Sequence, residues 1–262
     1  MGHKLGQVFL HDKNILSKIV STALEHPTPF AVEIGCGDGI LTEALANHFH
    51  QVIVYEIDPI CIEKTRDRTR NYRNIEIIPG DVLDTANSHH FPENASVVAN
   101  VPYYITTPII KLLISQMTNV STATLMVQRE FADKMIAKPG DDLYGSFTIY
   151  SHFHFKTERL FYVSKNCFSP VPKVDSAVIR LTPSWKDIDG DRNCFFSMVQ
   201  SGFWGRRKPF ASALSKSPYI RLKPGFQTIP YFRHFPKIRA EDISPDVFLE
   251  IFDQLTPFLE NR

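Results

Sequence analysis

Five short apolar segments, at residues 30–34, 51–55, 75–78, 96–99 and 122–127, alternate with stretches of helical periodicity through the first half of the chain. Short, mostly apolar segments of this kind read as strands buried on both faces. Strands that alternate with helices join through crossovers, which make their pairing mainly parallel. The expected class is therefore α/β, with a doubly wound, Rossmann-like sheet. The helical stretches carry their own start signals. Asp12 precedes an apolar face of Ile15, Leu16, Ile19, Val20 and Ala23, and Asp58 precedes Pro59, which suits a first helical position. Thr107-Pro108 opens a stretch with Ile109, Ile110, Leu113 and Ile114, while Leu41, Leu45 and Phe49 mark a helix after the first strand. In such a sheet a ligand lies at the carboxyl ends of the strands, where strand order reverses.

The pattern changes after Pro183. Residues 185–192 are polar and read as a linker. Beyond them the spacing of Phe195, Phe196, Val199 and Phe203, and of Phe248, Leu249, Phe252 and Leu255, is helical, with Ser244-Pro245 as a start signal. Two domains are expected: residues 1–183, holding the sheet, and a small helical domain at 184–262.

The chain of 262 residues, 43% hydrophobic and 22% charged, can bury a sizeable core. Its cysteines, Cys36, Cys61, Cys167 and Cys194, form no C-x-x-C pair, which suits reduced thiols and a cytoplasmic setting. No apolar run approaches the roughly twenty residues of a membrane span, so none is expected. His152-x-His154 would share one strand face, but no third ligand accompanies them, and His89-His90 reads as loop. No metal site is expected.

The loop Gly35-Cys36-Gly37-Asp38-Gly39 follows the first strand and opens a helix. Glycines there let the backbone approach a ligand. A dinucleotide fingerprint would need G-x-G-x-x-G, and its third glycine position is Ile40. The pattern E-x-G-x-G-x-G, with Glu33 included, suits S-adenosylmethionine better. Alone, the loop is equally readable as a tight strand-to-helix turn. Two acids at successive strand ends strengthen the binding reading. Glu56 could accept both ribose hydroxyl hydrogens, and Asp81 could accept from an adenine amino group; singly, each reads as a cap or turn. Glu33, inside a buried strand, is expected to orient the loop by accepting from its amides.

After the fourth strand comes Asn100-Val101-Pro102-Tyr103. An adenine N6 amine is a poor nucleophile because its lone pair is delocalised into the ring. The Asn100 oxygen and the carbonyl before Tyr103 could each accept one amine hydrogen, drawing the lone pair towards a methyl donor, while the tyrosine ring stacks on the base. No strong general base is required, because the work is alignment. In isolation these residues read as an ordinary turn; their place in the strand order gives them meaning.

With these residues in hand, the chain resembles the ribosomal RNA adenine dimethyltransferases, most of all their small-subunit (16S) branch. The likeness runs from Gly6-Gln7-Val8-Phe9-Leu10 through Val32 to Gly37, Glu56-Ile57-Asp58, Gly80-Asp81 and Asn100 to Tyr103. It continues in Gln128-Arg129-Glu130, Tyr144-Gly145 and the run from Phe168-Ser169-Pro170 to Val178. The resemblance implies a class I methyltransferase with S-adenosylmethionine as cofactor, acting on two adjacent adenosines near the 3′ end of 16S rRNA, within a 30S precursor, as a monomer. It implies that Gln7, Val8, Leu10, Gly35, Gly37, Glu56, Asp81 and Asn100 line the cofactor site. Asn100 would also hold the target amine, with Tyr103 and Phe168 on either side of the flipped adenine. Two departures stand out. Val8 replaces an Asn, leaving backbone or apolar contact at that position, and Tyr104 replaces an Asn beside the pocket.

Charge is unevenly spread. The chain has 29 basic and 28 acidic residues, and nine basic and no acidic ones fall within 204–240, leaving 20 against 28, a net of −8, elsewhere. Phe203, Trp204, Phe210, Tyr219, Phe226, Tyr231, Phe232 and Phe235 interleave with those charges. Phosphate contacts through Arg206, Arg207 and Lys208, with some aromatics stacking on bases, are the expectation. Core packing for most of the rings and a solvated face for the charges is the plainer alternative. Two other functions compete: a 23S rRNA adenine methyltransferase of the macrolide-resistance type, and a non-catalytic ribosome-assembly factor on the same fold. The run Phe203 to Lys208 with Ala213-Leu214 resembles the small-subunit branch, and intact Glu56, Asp81 and Asn100 argue for catalysis.

Overall fold

The computed structural model describes residues 8–86, 90–205 and 207–260. Gln7, Arg206 and His89 lie outside the described residues. The chain divides into two compact units, Met1–Ala132 with Lys156–Pro183, and Asp133–Phe155 with Ser184–Arg262. This division differs from the expected 1–183 and 184–262 in residues 133–155, which pack with the second unit.

The first unit opens with strand β1 (Phe9–Leu10) and helix α1 (Lys13–Leu24), whose cap Asp12 accepts from the amides of Asn14 and Ile15. Then come β2 (Phe30–Ile34), α2 (Ile40–Ala46), β3 (Gln51–Glu56), α3 (Pro59–Arg68), β4 (Ile75–Pro79) and α4 (Val82–Thr85). Next are β5 (Ala95–Asn100), α5 (Thr106–Ser115), β6 (Val120–Gln128) and α6 (Arg129–Ile136). The Asp58 carboxylate accepts the Ile60 amide at 2.9 Å and caps α3 as expected, which is worth about 1 kcal/mol.

After α7 (Ser146–His152) of the second unit come β7 (Phe155–Val163), β8 (Phe168–Ser169) and β9 (Ser176–Pro183). The seven-stranded sheet has the order β4-β3-β2-β5-β6-β9-β7. Its first five strands pair in parallel, and β9 runs antiparallel to β6, with Gln128 opposite Ser176. Val32, Val52, Val54, Val97, Val98 and Leu125 are fully buried, as strands covered on both faces require. Strand order reverses between β2 and β5. The carboxyl ends of these neighbours carry the glycine loop and Asn100, so the topology itself places the two side by side. A separate two-stranded ladder pairs β1 with β8, setting Leu10 opposite Phe168.

The second unit is helical. Its helices α8 (Arg192–Trp204), α9 (Phe210–Lys216), α10 (Pro230–His234) and α11 (Pro245–Leu255) surround a core of Phe195, Phe210, Phe248, Phe252 and Ile251, with Phe153 and Ile149 from the α7 region. His152 ends a helix and His154 follows it, so the two do not share a strand face. His154 Nδ1 lies 2.7 Å from the Tyr150 carbonyl, and His152 Nε2 lies 2.7 Å from Lys186 Nζ. Burial lowers the pKa of both rings. Among the described residues no helix is long and apolar enough to cross a membrane, and no group of three or more His, Cys, Asp or Glu is placed to hold a metal ion.

Candidate active site

A cavity opens at the carboxyl ends of β2, β3 and β5. Gly35 to Asp38 of the glycine loop, Tyr55 to Ile57, Gly80 to Val82, Ala99 to Ile105 and Val8 to Leu10 line it. Of the candidate site residues that are described, Val8, Leu10, Gly35, Gly37, Glu56, Asp81, Asn100 and Tyr103 all face this cavity. Phe168 does not. It is 1% exposed and packs in the core that includes Leu10.

The loop needs its glycines for shape. Gly39, with φ of +80°, starts α2 in the left-handed region, and a Cβ there would meet the Thr65 backbone at 3.0 Å. Gly37 also has positive φ, and a Cβ on it would sit 3.1 Å from the Phe9 ring, so β1 lies directly over the loop.

Of the two buried glutamates, it is Glu56 that takes the loop-orienting role expected of Glu33. Glu56, 4% exposed, turns back to the loop: its Oε2 accepts from Cys36 N at 3.0 Å and Gly37 N at 3.4 Å, and its Oε1 from Asp58 N at 2.8 Å. Glu33 does not touch the loop amides; it accepts from Thr42 Oγ1 at 2.6 Å. Its other oxygen, Oε1, is buried with no hydrogen-bond partner. Burial, opposed by the Thr42 bond and reinforced by the charges of Glu56 and Asp38, pushes the Glu33 carboxyl up to about 8. Asp81 caps α4, with Oδ1 accepting from Leu83 N at 2.9 Å. Cys36 is buried, and desolvation raises its thiol far above the ordinary range, which makes it unreactive.

The charge of the lining separates the two cofactor classes. Glu33, Asp38, Glu56 and Asp81 line the cavity, and no Lys, Arg or His does so among the described residues. A pyrophosphate would enter a site of like sign with no basic partner. S-adenosylmethionine has one carboxylate but no phosphate, and its sulfonium, ammonium, ribose hydroxyls and adenine amine offer cations and donors to the acidic side chains. The orphaned Glu33 oxygen and the glycine cradle fit the latter.

At the substrate side, the segment after β5 is pinned at several points. Val101 N donates to Met126 O at 3.1 Å, Ile105 N to Pro102 O at 3.1 Å, and Thr106 Oγ1 to Tyr103 O at 3.1 Å. The Tyr103 hydroxyl meets Ser176 Oγ at 2.8 Å. Ser176 belongs to the Phe168-to-Val178 block, yet nothing in the sequence marks it as a partner of Tyr103. Asn100 Nδ2 donates to the Val8 carbonyl at 3.5 Å, a long bond that sets the amide so that Oδ1 remains as the acceptor. The Pro102 carbonyl holds one bond and has a second lone pair.

In the second unit, Arg207, Lys208, Lys216, Arg221, Lys223, Arg233, Lys237 and Arg239 are all exposed. Lys208 Nζ stands 5.4 Å over the Trp204 ring, and Arg239 pairs with Glu241 at 3.2 Å. The interleaved aromatics divide: Phe210, Phe226 and Phe232 are core, while Trp204, Tyr219 and Phe235 are exposed.

Comparison with known proteins agrees with this geometry. The profile of the family described as ribosomal RNA adenine dimethylase matches residues 2–256. The ribosomal RNA small subunit methyltransferase A of Listeria welshimeri is 38% identical over 98% of this chain and 92% of its own. The crystal structure of a dimethyladenosine transferase from Plasmodium falciparum superposes with a TM-score of 0.80 and 26% identity, over 95% of this chain and 98% of its own. That of the 23S rRNA methyltransferase ErmE superposes with a TM-score of 0.72 and 29% identity, over 95% of this chain and 99% of its own.

Proposed function

The chain belongs to the ribosomal RNA adenine dimethylase family, and from that premise we propose that it uses S-adenosylmethionine to dimethylate the N6 amines of two adjacent adenosines near the 3′ end of 16S rRNA, as a monomer acting on a 30S precursor in the cytoplasm. The observation that carries the reading is the juxtaposition at the reversal of strand order. A glycine-cradled cavity, whose charged lining residues among those described are all acidic, adjoins Asn100-Val101-Pro102-Tyr103.

The cofactor, when bound, supplies a methyl group activated on a positively charged sulfur. Glu56, Asp81, Gly35, Gly37, Val8 and Leu10 would hold it, Val8 through backbone or apolar surface. Asn100 Oδ1 and the Pro102 carbonyl would each accept one hydrogen of the target amine, fixing its lone pair towards the methyl group. Tyr103, its ring held by Ser176, would stack on the flipped base. Phe168 would serve as the opposite wall once β1, which pairs with its strand, is moved aside. The exposed residues Arg207 and Lys208, with Arg206, would contact phosphates, which position the RNA without reading its sequence.

The 23S reading shares the fold and the N-x-P-Y chemistry. Greater identity to a small-subunit enzyme than to ErmE favours 16S rRNA. A purely structural assembly role would leave the acidic cavity and Asn100 without a task. The test is to incubate the purified protein and radiolabelled S-adenosylmethionine with unmethylated 30S precursors and, separately, 50S precursors. Digestion should yield N6,N6-dimethyladenosine from 16S rRNA only.

A further inference from the structure

We propose that Tyr104 is a second stacking platform, holding the unpaired base next to the target adenosine at the mouth of the pocket. The inference rests on the rRNA substrate argued above and extends that reading to a rim residue just beyond the Asn100-to-Tyr103 motif.

Tyr104 lines the cavity, yet its side chain is 66% exposed, more open than Trp185 at 57%. One residue thus spans the rim between pocket and solvent. Its backbone is held fast. Tyr103, Tyr104 and Ile105 form a single 3-10 turn, closed by the Ile105 to Pro102 bond and flanked by the Thr106 to Tyr103 bond. In a 3-10 turn consecutive side chains diverge by about a third of a turn. The Tyr103 ring is half-buried and tied through its hydroxyl to Ser176, and the neighbouring Tyr104 ring is directed outward. No hydrogen bond holds the Tyr104 side chain among the described residues.

A large ring left mostly in water gains little from burial. It offers an aromatic face at little entropic cost when a ligand arrives. The ligand chemistry follows from the reaction. Drawing one adenosine out of the RNA into the pocket leaves its neighbour unstacked on one side. Every base has a face that suits an aromatic ring, and the stacking involves no charge. A salt-independent contribution is therefore expected from Tyr104, in contrast to the exposed arginines and lysines.

The experiment compares wild type with Tyr104→Phe, Tyr104→Asn and Tyr104→Ala on unmethylated 30S precursors. It records KM for the ribosomal substrate across a salt series, kcat, and cofactor affinity by calorimetry. The Asn and Ala variants should raise KM about tenfold, with a smaller loss in kcat, an unchanged salt slope and unchanged cofactor affinity. The Phe variant should match wild type, which also separates lost stacking from a disturbed fold. Equal KM in all four proteins would overturn the inference while leaving rRNA methylation by the wild type in place. Weakened cofactor binding in the Asn and Ala variants would assign the ring to the cofactor wall and overturn it as well. A wild type that methylates no rRNA would overturn the underlying reading together with this one.

Discussion

Glu56 Oε2 accepts the backbone N–H of Cys36 at 3.0 Å, joining the end of β3 to the loop that leaves β2. Two neighbouring strands thereby present one preorganised surface, and the carboxylate that shapes the loop is also the one proposed to accept from the ribose hydroxyls.

Glu56→Ala is therefore expected to weaken S-adenosylmethionine binding by about 10- to 100-fold, since hydrogen bonds to a charged group contribute roughly 1.5–3 kcal/mol. Circular dichroism should show the fold retained. Calorimetry giving wild-type affinity would remove Glu56 from the cofactor site.

Glu33 makes stability depend on pH. Its carboxyl is pushed up to about 8 by burial, so between the ordinary carboxyl range and that value the unfolded chain gives up a proton that the folded chain keeps. The stabilisation is full below the ordinary range and is lost as pH rises through about 8. Glu33→Gln abolishes this titration, so its melting temperature should gain on wild type by roughly 5 °C or more between pH 5 and pH 9. Parallel melting curves across that range would show that Glu33 is ionised in the folded protein.

Ser176→Ala removes the partner of the Tyr103 hydroxyl, and Tyr103→Phe removes the hydroxyl itself. Both should lower kcat by a similar few-fold, and the double variant should be no worse than either, because each substitution breaks the same hydrogen bond. Tyr103→Ala, which loses the ring, should fall much further. Additive losses in the double variant would mean that the two side chains act separately.

Replacing Arg206, Arg207 and Lys208 together by Ala should weaken RNA binding and reduce its log–log salt slope by about one for each phosphate no longer neutralised. Cofactor affinity should hold. Identical salt slopes would make these residues a solvated face.

The parallel sheet was legible because its strands are short, mostly apolar segments set between helical stretches, and Asp12 and Asp58 announced their helices by position. Strand β7 was not, because Phe155–Val163 mixes Lys156, Glu158 and Arg159 with apolar residues at no clean period of two. The likeness in His152-x-His154 to a strand face failed because spacing alone does not tell a helix end from a strand. At the site, residue identity was legible but role was less so. Glu33 and Glu56 sit on adjacent strands, and which of them reaches the loop depends on side-chain direction at each strand end. The Tyr103–Ser176 hydrogen bond joins residues 73 apart, beyond any local pattern.

The proposed role of Asn100, at the reversal of strand order, is to align an adenine amine of small-subunit rRNA for methyl transfer. It is tested most directly by single-turnover methylation of unmethylated 30S precursors, with the product mapped by mass spectrometry, for wild type and Asn100→Ala. Wild type is expected to give N6,N6-dimethyladenosine in 16S rRNA, and the variant a rate lower by about 10²–10³, with RNA and cofactor binding retained. A near-normal rate in Asn100→Ala, or dimethyladenosine formed in 23S rather than 16S rRNA, would contradict it.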